Sequence, residues 1–377
     1  QGQCVAGMES PGGFGNRHEV GRPLILTEVM TEMEKQFNEV FGTSDQFGRY
    51  AQVKSLLISG ASGDKRPFIT VAIPTYKRAT TLKETLDSVL TQDDADDVEI
   101  IVVDNNPERG DETEQLMATY QDSRLRYYKN ETNLGMTGNW NRLYTLAKGE
   151  WVCMLHDDDC LLPGCMVNVK RMLKILEGKA DALFLTATKR MKTASPEGQF
   201  RLRKVSLIAD LMAGNGLDIP GNLIRREVVM RLGGFNDTYY PCADYHFWLK
   251  LLFMAHPFVV RDCPLTYYRV DVNASRKTET IKAFVSVGNI FQETIRSRMN
   301  FMVRWCWKLY LPFLNAHRLS SLSRQCDNHT EELLSFVREA KRDVPLPNKV
   351  FGFFMRHFLS LNRKRADFFA SRVKVIG

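Results

Sequence analysis

Two β-branched apolar runs constrain this chain most: Phe68-Ile69-Thr70-Val71-Ala72-Ile73 and Val98-Glu99-Ile100-Ile101-Val102-Val103, each cut off by turn-forming residues. Runs of this length and composition predict strands buried on both faces. The first ends at Pro74, which lacks the N–H that a central ladder requires, and the second at Asp104-Asn105-Asn106-Pro107. Between them Leu82, Leu86, Val89 and Leu90 recur at helical spacing from Thr80 to Thr91, with Thr80 or Thr81 placed as the cap. Thr113 to Tyr120 predicts a second helix, Leu125-Arg126-Tyr127-Tyr128 a short third strand and Gly138 to Ala147 a third helix. Trp151-Val152-Cys153-Met154-Leu155 then predicts a fourth strand that runs into His156-Asp157-Asp158-Asp159. Such alternation predicts an α/β fold whose mostly parallel sheet is flanked by helices. Ligands of these sheets bind beyond the carboxyl ends of the strands. Asp104 and the three aspartates are therefore expected to face one crevice.

With 377 residues, 44% of them hydrophobic, the chain can bury a full core as one large domain with an extension, or as two. Residues 1–24 are glycine-rich and predict a flexible lead, and the lack of a starting Met points to added residues at its very front. Residues 25–66 predict a helical segment, since Leu26, Val29, Met30, Met33, Phe37, Val40 and Phe41 share one face of a helix. The main domain is expected over 67–275 and a basic, aromatic-rich helical extension over 276–377. No stretch reaches the roughly 18 uninterrupted apolar residues of a spanning helix, and no secretory leader is legible at the front. A cytoplasmic location is expected. The eight cysteines form no CxxC pair or zinc spacing, so reduced thiols are expected. From Arg276 onward there are 19 Lys and Arg against 8 Asp and Glu, an excess of 11 positive charges in a chain of net charge +7. The tail is thus expected to meet something anionic.

Three adjacent aspartates after a buried strand repel one another unless they are solvated or paired, and a divalent cation removes the conflict. Mg2+ or Mn2+ takes one or two protein carboxylates and fills other positions with substrate phosphate. Lys77-Arg78 after the first strand, and Arg269 after Tyr267-Tyr268, supply cations for a diphosphate. A solvated turn is the ordinary alternative for such a cluster; Asp104 at a second strand end favours the site.

The ordered set Pro74-Thr75-Tyr76-Lys77-Arg78, Val102-Val103-Asp104-Asn105-Asn106, Asn133-Leu134-Gly135, Leu155-His156-Asp157-Asp158-Asp159 with Pro163, and Gly233-Gly234-Phe235 followed by Ala243-Asp244-Tyr245 resembles the family-2 inverting glycosyltransferases, of GT-A type fold. The match runs from about Pro67 to Asn273. The resemblance implies that Pro74, Thr75, Tyr76, Arg78, Asp104 and Asn133 bind a nucleotide-sugar donor, a UDP-sugar by default. It further implies that Asp157 and Asp158 contact the donor, that Asp159 is the metal ligand and that Asp244 is the general base. The family's usual Asp falls on His156, its Glu on Ala243 and its late His on Asp271, which leaves Asp271 as a further metal ligand. Arg269 is expected to steady the leaving diphosphate, and Asp218-Ile219-Pro220-Gly221-Asn222 to lie on the acceptor side. His246 is expected to be a packing residue.

The implied reaction is a direct displacement with inversion, requiring one base and no covalent nucleophile. The expected function is hexosyl transfer in bacterial capsule, O-antigen or exopolysaccharide assembly on a lipid-linked acceptor. A nucleotide-sugar-binding scaffold without transfer is the alternative. The tail's aromatic and cationic runs, Phe301 to Tyr310, Phe351 to Phe358 and Arg363-Lys364-Arg365, fit a peripheral contact on the inner face of the membrane or a packed helical subdomain with Trp305 or Trp307 in its core. A nucleic-acid partner is not expected, because no module for one is present.

Overall fold

A computed structural model describes residues 23–60, 66–189, 199–270, 278–324 and 331–374. Its strands are β1 (Ser55–Ser59), β2 (Ile69–Thr75), β3 (Val98–Asp104), β4 (Leu125–Asn130), β5 (Trp151–Met154), β6 (Cys160–Leu161), β7 (Ala182–Thr188), β8 (Gln199–Lys204), β9 (Asn222–Arg225), β10 (Pro257–Tyr267) and β11 (Ser371–Lys374). They form one sheet in the order β1-β4-β3-β2-β5-β9-β7-β10-β8-β11, with β6 paired to β10. The helices are α1 (Pro23–Phe41), α2 (Ala79–Leu90), α3 (Glu112–Met117), α4 (Gly135–Leu146), α5 (Cys165–Ile175), α6 (Arg226–Leu232), α7 (Ala243–Met254), α8 (Thr278–Ser297), α9 (Phe301–Ser323), α10 (Glu331–Arg342) and α11 (Leu346–Phe368).

The expected parallel order holds for β4-β3-β2-β5. β2 and β3 align from Ile69↔Val98 to Thr75↔Asp104, and β5 flanks β2 from Ile69↔Trp151 to Ala72↔Met154. Their carboxyl ends therefore open on one edge. Pro74 is tolerated inside β2 because β5 has ended where its N–H would point: Leu155 makes the last bond on that side, to the Ala72 carbonyl. Past β5 the sheet is mixed, since β9 runs antiparallel between β5 and β7.

Side-chain alternation divides the core into two layers. Val71, Ile73, Ile100 and Val102 pack with Leu82, Leu86 and Val89 of α2 and Val169 and Met172 of α5. Ala72, Ile101 and Val103 face Trp140 and Leu143 of α4, Phe247 and Trp248 of α7, and Phe291, Trp307 and Tyr310 from the carboxyl-terminal helices. The tail thus shares the core of the sheet domain, with Trp307 buried and Trp305 exposed. The amino-terminal segment contributes more than its expected helix, because β1 pairs antiparallel with β4 as an edge strand. Neither Thr80 nor Thr81 caps α2; Arg78 occupies that position, and Thr81 donates to the Arg78 carbonyl. No described helix is long and apolar enough to cross a membrane. Among the described cysteines Cys153, Cys160, Cys165, Cys242, Cys263 and Cys306 are free thiols.

α9 and α11 run side by side in one direction, with Asn348 donating to the Leu309 carbonyl and Gly352 seated on the Phe313 ring. A Cβ on Gly352 would lie 2.2 Å from that ring. Gly352→Val is expected to lower stability by about 1–3 kcal/mol, read as the denaturant midpoint. An unchanged midpoint would show that this helix pair does not pack closely.

Candidate active site

The turn after β2 begins with Thr75, passes through Lys77 at φ +54° and delivers Arg78 to the start of α2. It meets the acidic turn after β5. Thr75 Oγ1 donates to Asp157 Oδ2 at 2.8 Å, and Arg78 Nη1 reaches Asp157 Oδ1 at 3.3 Å and Asp158 Oδ2 at 2.7 Å. Asp159 is fully buried; its Oδ1 accepts the Arg269 backbone N–H at 3.0 Å, and its Oδ2 has no hydrogen-bond partner. His156 stacks on Trp140 at 5.4 Å between ring centres, its Nδ1 is 3.8 Å from Asp159 Oδ2, and its Nε2 also lacks a partner.

Burial, more than any other cause, pushes the carboxyl pKa of Asp157 up to about 6 and that of Asp159 up to about 8, the Asp158 charge adding to the second. Burial also lowers the His156 pKa, which favours the neutral imidazole and its free lone pair. One ligand atom from each of His156, Asp158 and Asp159 lies within 4.8 Å of the others. An imidazole nitrogen with two carboxylates suits a first-row divalent cation, and two orphaned buried polar atoms are what such an ion would satisfy. The residues fit the implied metal. Asp157 is tied instead to Thr75 and Arg78, and Asp271 lies outside the described residues.

Asp244 is the second residue of α7. Its carboxylate accepts from Asn215 Nδ2 at 2.9 Å and from the backbone N–H groups of Asp244 and Tyr245. Burial outweighs these bonds and pushes its pKa up to about 6.

A cleft of about 430 Å3 joins these groups, and Pro74, Thr75, Tyr76, Arg78, Asn133, Asp157, Asp158 and Asp244 all line it. His156, Trp140 and Asn105 line it as well, and none of the three was among the residues assigned a role in the site from sequence. His156 could have been found from its place in the acidic motif.

Three expectations need correction. Asp104 does not line the cleft: its Oδ2 accepts from Lys129 Nζ at 3.0 Å and Tyr127 Oη at 2.9 Å, and its Oδ1 from the Asn106 N–H. Strand alternation turns it to the opposite face from Asn105. Asn105 ties the strand end to Asn133, Gly135 and the Leu134 N–H. The Arg269 guanidinium also leaves the cleft, bonding the Asp158 carbonyl at 3.0 Å and the Glu84 carboxylate. The segment Asp218 to Asn222 braces β7 and does not line the cleft, because Asp218 accepts the Ala187 N–H and Asn222 the Leu185 N–H.

Gly233-Gly234-Phe235 is structural. Both glycines have positive φ, the Gly233 carbonyl accepts the Gln46 N–H, and Asn141 brackets the Phe235 backbone with two 2.8 Å bonds. His246 packs as expected, stacked on Tyr239 and bonded through Nε2 to the Val40 carbonyl at 2.6 Å.

The parallel strand ends, the acidic cluster beside Arg78 and the separate buried carboxylate Asp244 meet at one cleft. Residues 70–206 match the family Glycosyl transferase family 2. The chain is similar to an uncharacterised glycosyltransferase of Haemophilus influenzae, 24% identical over 288 residues, or 73% of this chain and 93% of that one. It is also similar to the GalNAc(5)-diNAcBac-PP-undecaprenol beta-1,3-glucosyltransferase of Campylobacter jejuni, 29% identical over 167 residues, or 44% of this chain and 48% of that one. Among solved structures, the mannosyltransferase PcManGT of Pyrobaculum calidifontis is similar at TM-score 0.48 and 16% identity, covering 92% of this chain and 98% of that one.

Lys129 is buried between Asp104 and Asp111, so removing Asp104 takes away one of its two close carboxylate partners and leaves the Tyr127 hydroxyl without its acceptor. Asp104→Ala is expected to cost about 1–3 kcal/mol in denaturant unfolding. A loss of donor affinity with stability intact would return Asp104 to the donor site.

Proposed function

We propose that this chain transfers a sugar from a nucleoside-diphosphate sugar to an acceptor hydroxyl with inversion at the anomeric carbon, in the assembly of a bacterial surface polysaccharide. One observation carries this: a single isolated carboxylate, Asp244, opens on the same cleft as Arg78, Asp158 and His156. One base and no paired nucleophile suits a single displacement. Asp244 takes the proton of the acceptor hydroxyl as that oxygen attacks. Its environment holds it ionised at neutral pH yet more basic than an ordinary carboxylate.

Thr75, Tyr76 and Asn133 border the space for the donor nucleoside, and Tyr76 is exposed. Arg78 places a cation for the diphosphate, a role first expected of Arg269. A divalent cation, Mn2+ or Mg2+, held by Asp158, Asp159 and His156, would neutralise charge on the departing nucleoside diphosphate. UDP is the default nucleotide. The Campylobacter relative is named for an undecaprenol-linked glycan, which supports a lipid-linked acceptor here and work at the inner face of the cell membrane.

Donor turnover is expected to fall by at least about 10²-fold in Asp244→Asn, the scale of one positioned base. Since the base must be ionised, kcat/KM should drop as pH falls through about 6. The Asn215 hydrogen bond lowers the Asp244 pKa, so Asn215→Ala should move that limb to higher pH. A pH profile that stays in place would assign the base elsewhere. Mn2+ is expected to raise the melting midpoint of the wild type and to leave that of Asp159→Ala unchanged; an equal shift in both would remove Asp159 from the metal site.

A further inference from the structure

α11 is apolar on two faces. Phe351, Met355 and Leu359 pack against the main core, and Gly352 sits on Phe313. The outer face carries Leu346, Val350, Phe353, Phe354, Phe358 and Leu361 at helical spacing, each more than half exposed. Phe368 and Phe369, 63% and 73% exposed, close the stripe after about 33 Å of helix. A helix apolar on both faces is ordinarily covered on both, and nothing in this chain covers the outer one among the described residues.

Charge decides what does. Lys349, Arg356, Arg363, Lys364 and Arg365 lie on α11, all exposed, while its one acidic residue, Asp367, is bonded to Arg203. A second copy of the chain would bring like charges together, whereas an anionic lipid surface offers apolar depth ringed by negative headgroups. At the amino end of α9, which starts ahead of α11 on the same side-by-side path, Phe301, Met302 and Trp305 are also exposed. We propose that the outer face of α11, with its Lys and Arg rim, lies in the interface of an anionic phospholipid membrane.

The position links to the chemistry. Arg363 Nε donates to the Ala209 carbonyl at 2.7 Å, and the loop that follows carries Asn215, the hydrogen-bond partner of Asp244. Docking through α11 would hold the base side of the cleft beside the bilayer, where a lipid-linked acceptor resides. The docking itself goes beyond the proposed chemistry and does not depend on it.

Co-sedimentation of the full chain with phosphatidylcholine vesicles, with and without about 30% phosphatidylglycerol, tests this. Binding is expected only with the anionic lipid and should weaken with added salt. Phe353→Ser with Phe354→Ser, and separately Lys364→Glu with Arg365→Glu, should each weaken it at least about tenfold, with melting midpoint and turnover on a soluble acceptor unchanged. Asp244→Asn should bind vesicles as the wild type does, so a failure of docking and a failure of the catalytic assignment are told apart. No binding, equal binding to both vesicle types, or wild-type binding by both double variants would overturn the proposal. So would a concentration-dependent dimer in sedimentation velocity that the Phe double variant abolishes, because a second copy would then be the cover.

Discussion

Three consecutive carboxylates are buried at the end of β5, with 6%, 6% and 0% exposure for Asp157, Asp158 and Asp159, and much of the structure exists to make that tolerable. Their partners come from three distant places: Thr75 at the end of β2, Arg78 at the start of α2 and the Arg269 backbone just past β10. The turn can therefore be buried only when β2, β5 and β10 are already in place. Even then the compensation is incomplete. Asp159 Oδ2 and His156 Nε2 stay unpartnered, and an unpaired polar atom in a site of low polarity costs more than one in water. Local stability is given up at this turn.

The surroundings hold this turn rigidly. Trp140 stacks on His156 and meets Phe235 edge to face, and Phe235 in turn packs on Phe247 and Trp248. Asn141 fixes the Phe235 backbone, and the amino-terminal segment closes over the two glycines before it. Orientation of the imidazole is thus a property of the packed layer beneath the cleft. The same layer includes Phe291, Trp307 and Tyr310 from the tail, so the extension supports the floor of the site as well as offering its outer face.

The central strands were legible because burial on both faces forces a continuous β-branched run, a pattern few other segments mimic. β1 and all the strands from β6 to β11 were not. Several of these are short or lie at the sheet's edge, and β8 spends its side chains on ion pairs, Arg203 with Asp210 and Arg201 with Asp262. Expected residues fixed by local turns came to line the cleft, Thr75, Arg78, Asp157 and Asp158 among them. Asp104 did not, because a one-residue difference along a strand reverses the face and only the pairing with Lys129 shows which way it turns. Arg269 was misjudged for a similar reason: its guanidinium is held by Glu84, 185 residues away in sequence.

Asp159 and Asp244 are both buried carboxyls but differ in what surrounds them. Both are pushed up by burial, but Asp159 also feels the charge of Asp158, whereas Asp244 has only hydrogen-bond donors around it. A carboxyl raised by a neighbouring carboxylate is relieved by a cation, which lowers the energy of both at once. A carboxyl raised by burial alone gains nothing from sharing charge; it becomes a better proton acceptor while remaining ionised near neutrality. The difference between the two carboxyls therefore follows from where the second negative charge sits. Asn215, on the loop against which α11 packs, donates to the Asp244 carboxylate and opposes that rise, so the tail bears on the environment of Asp244.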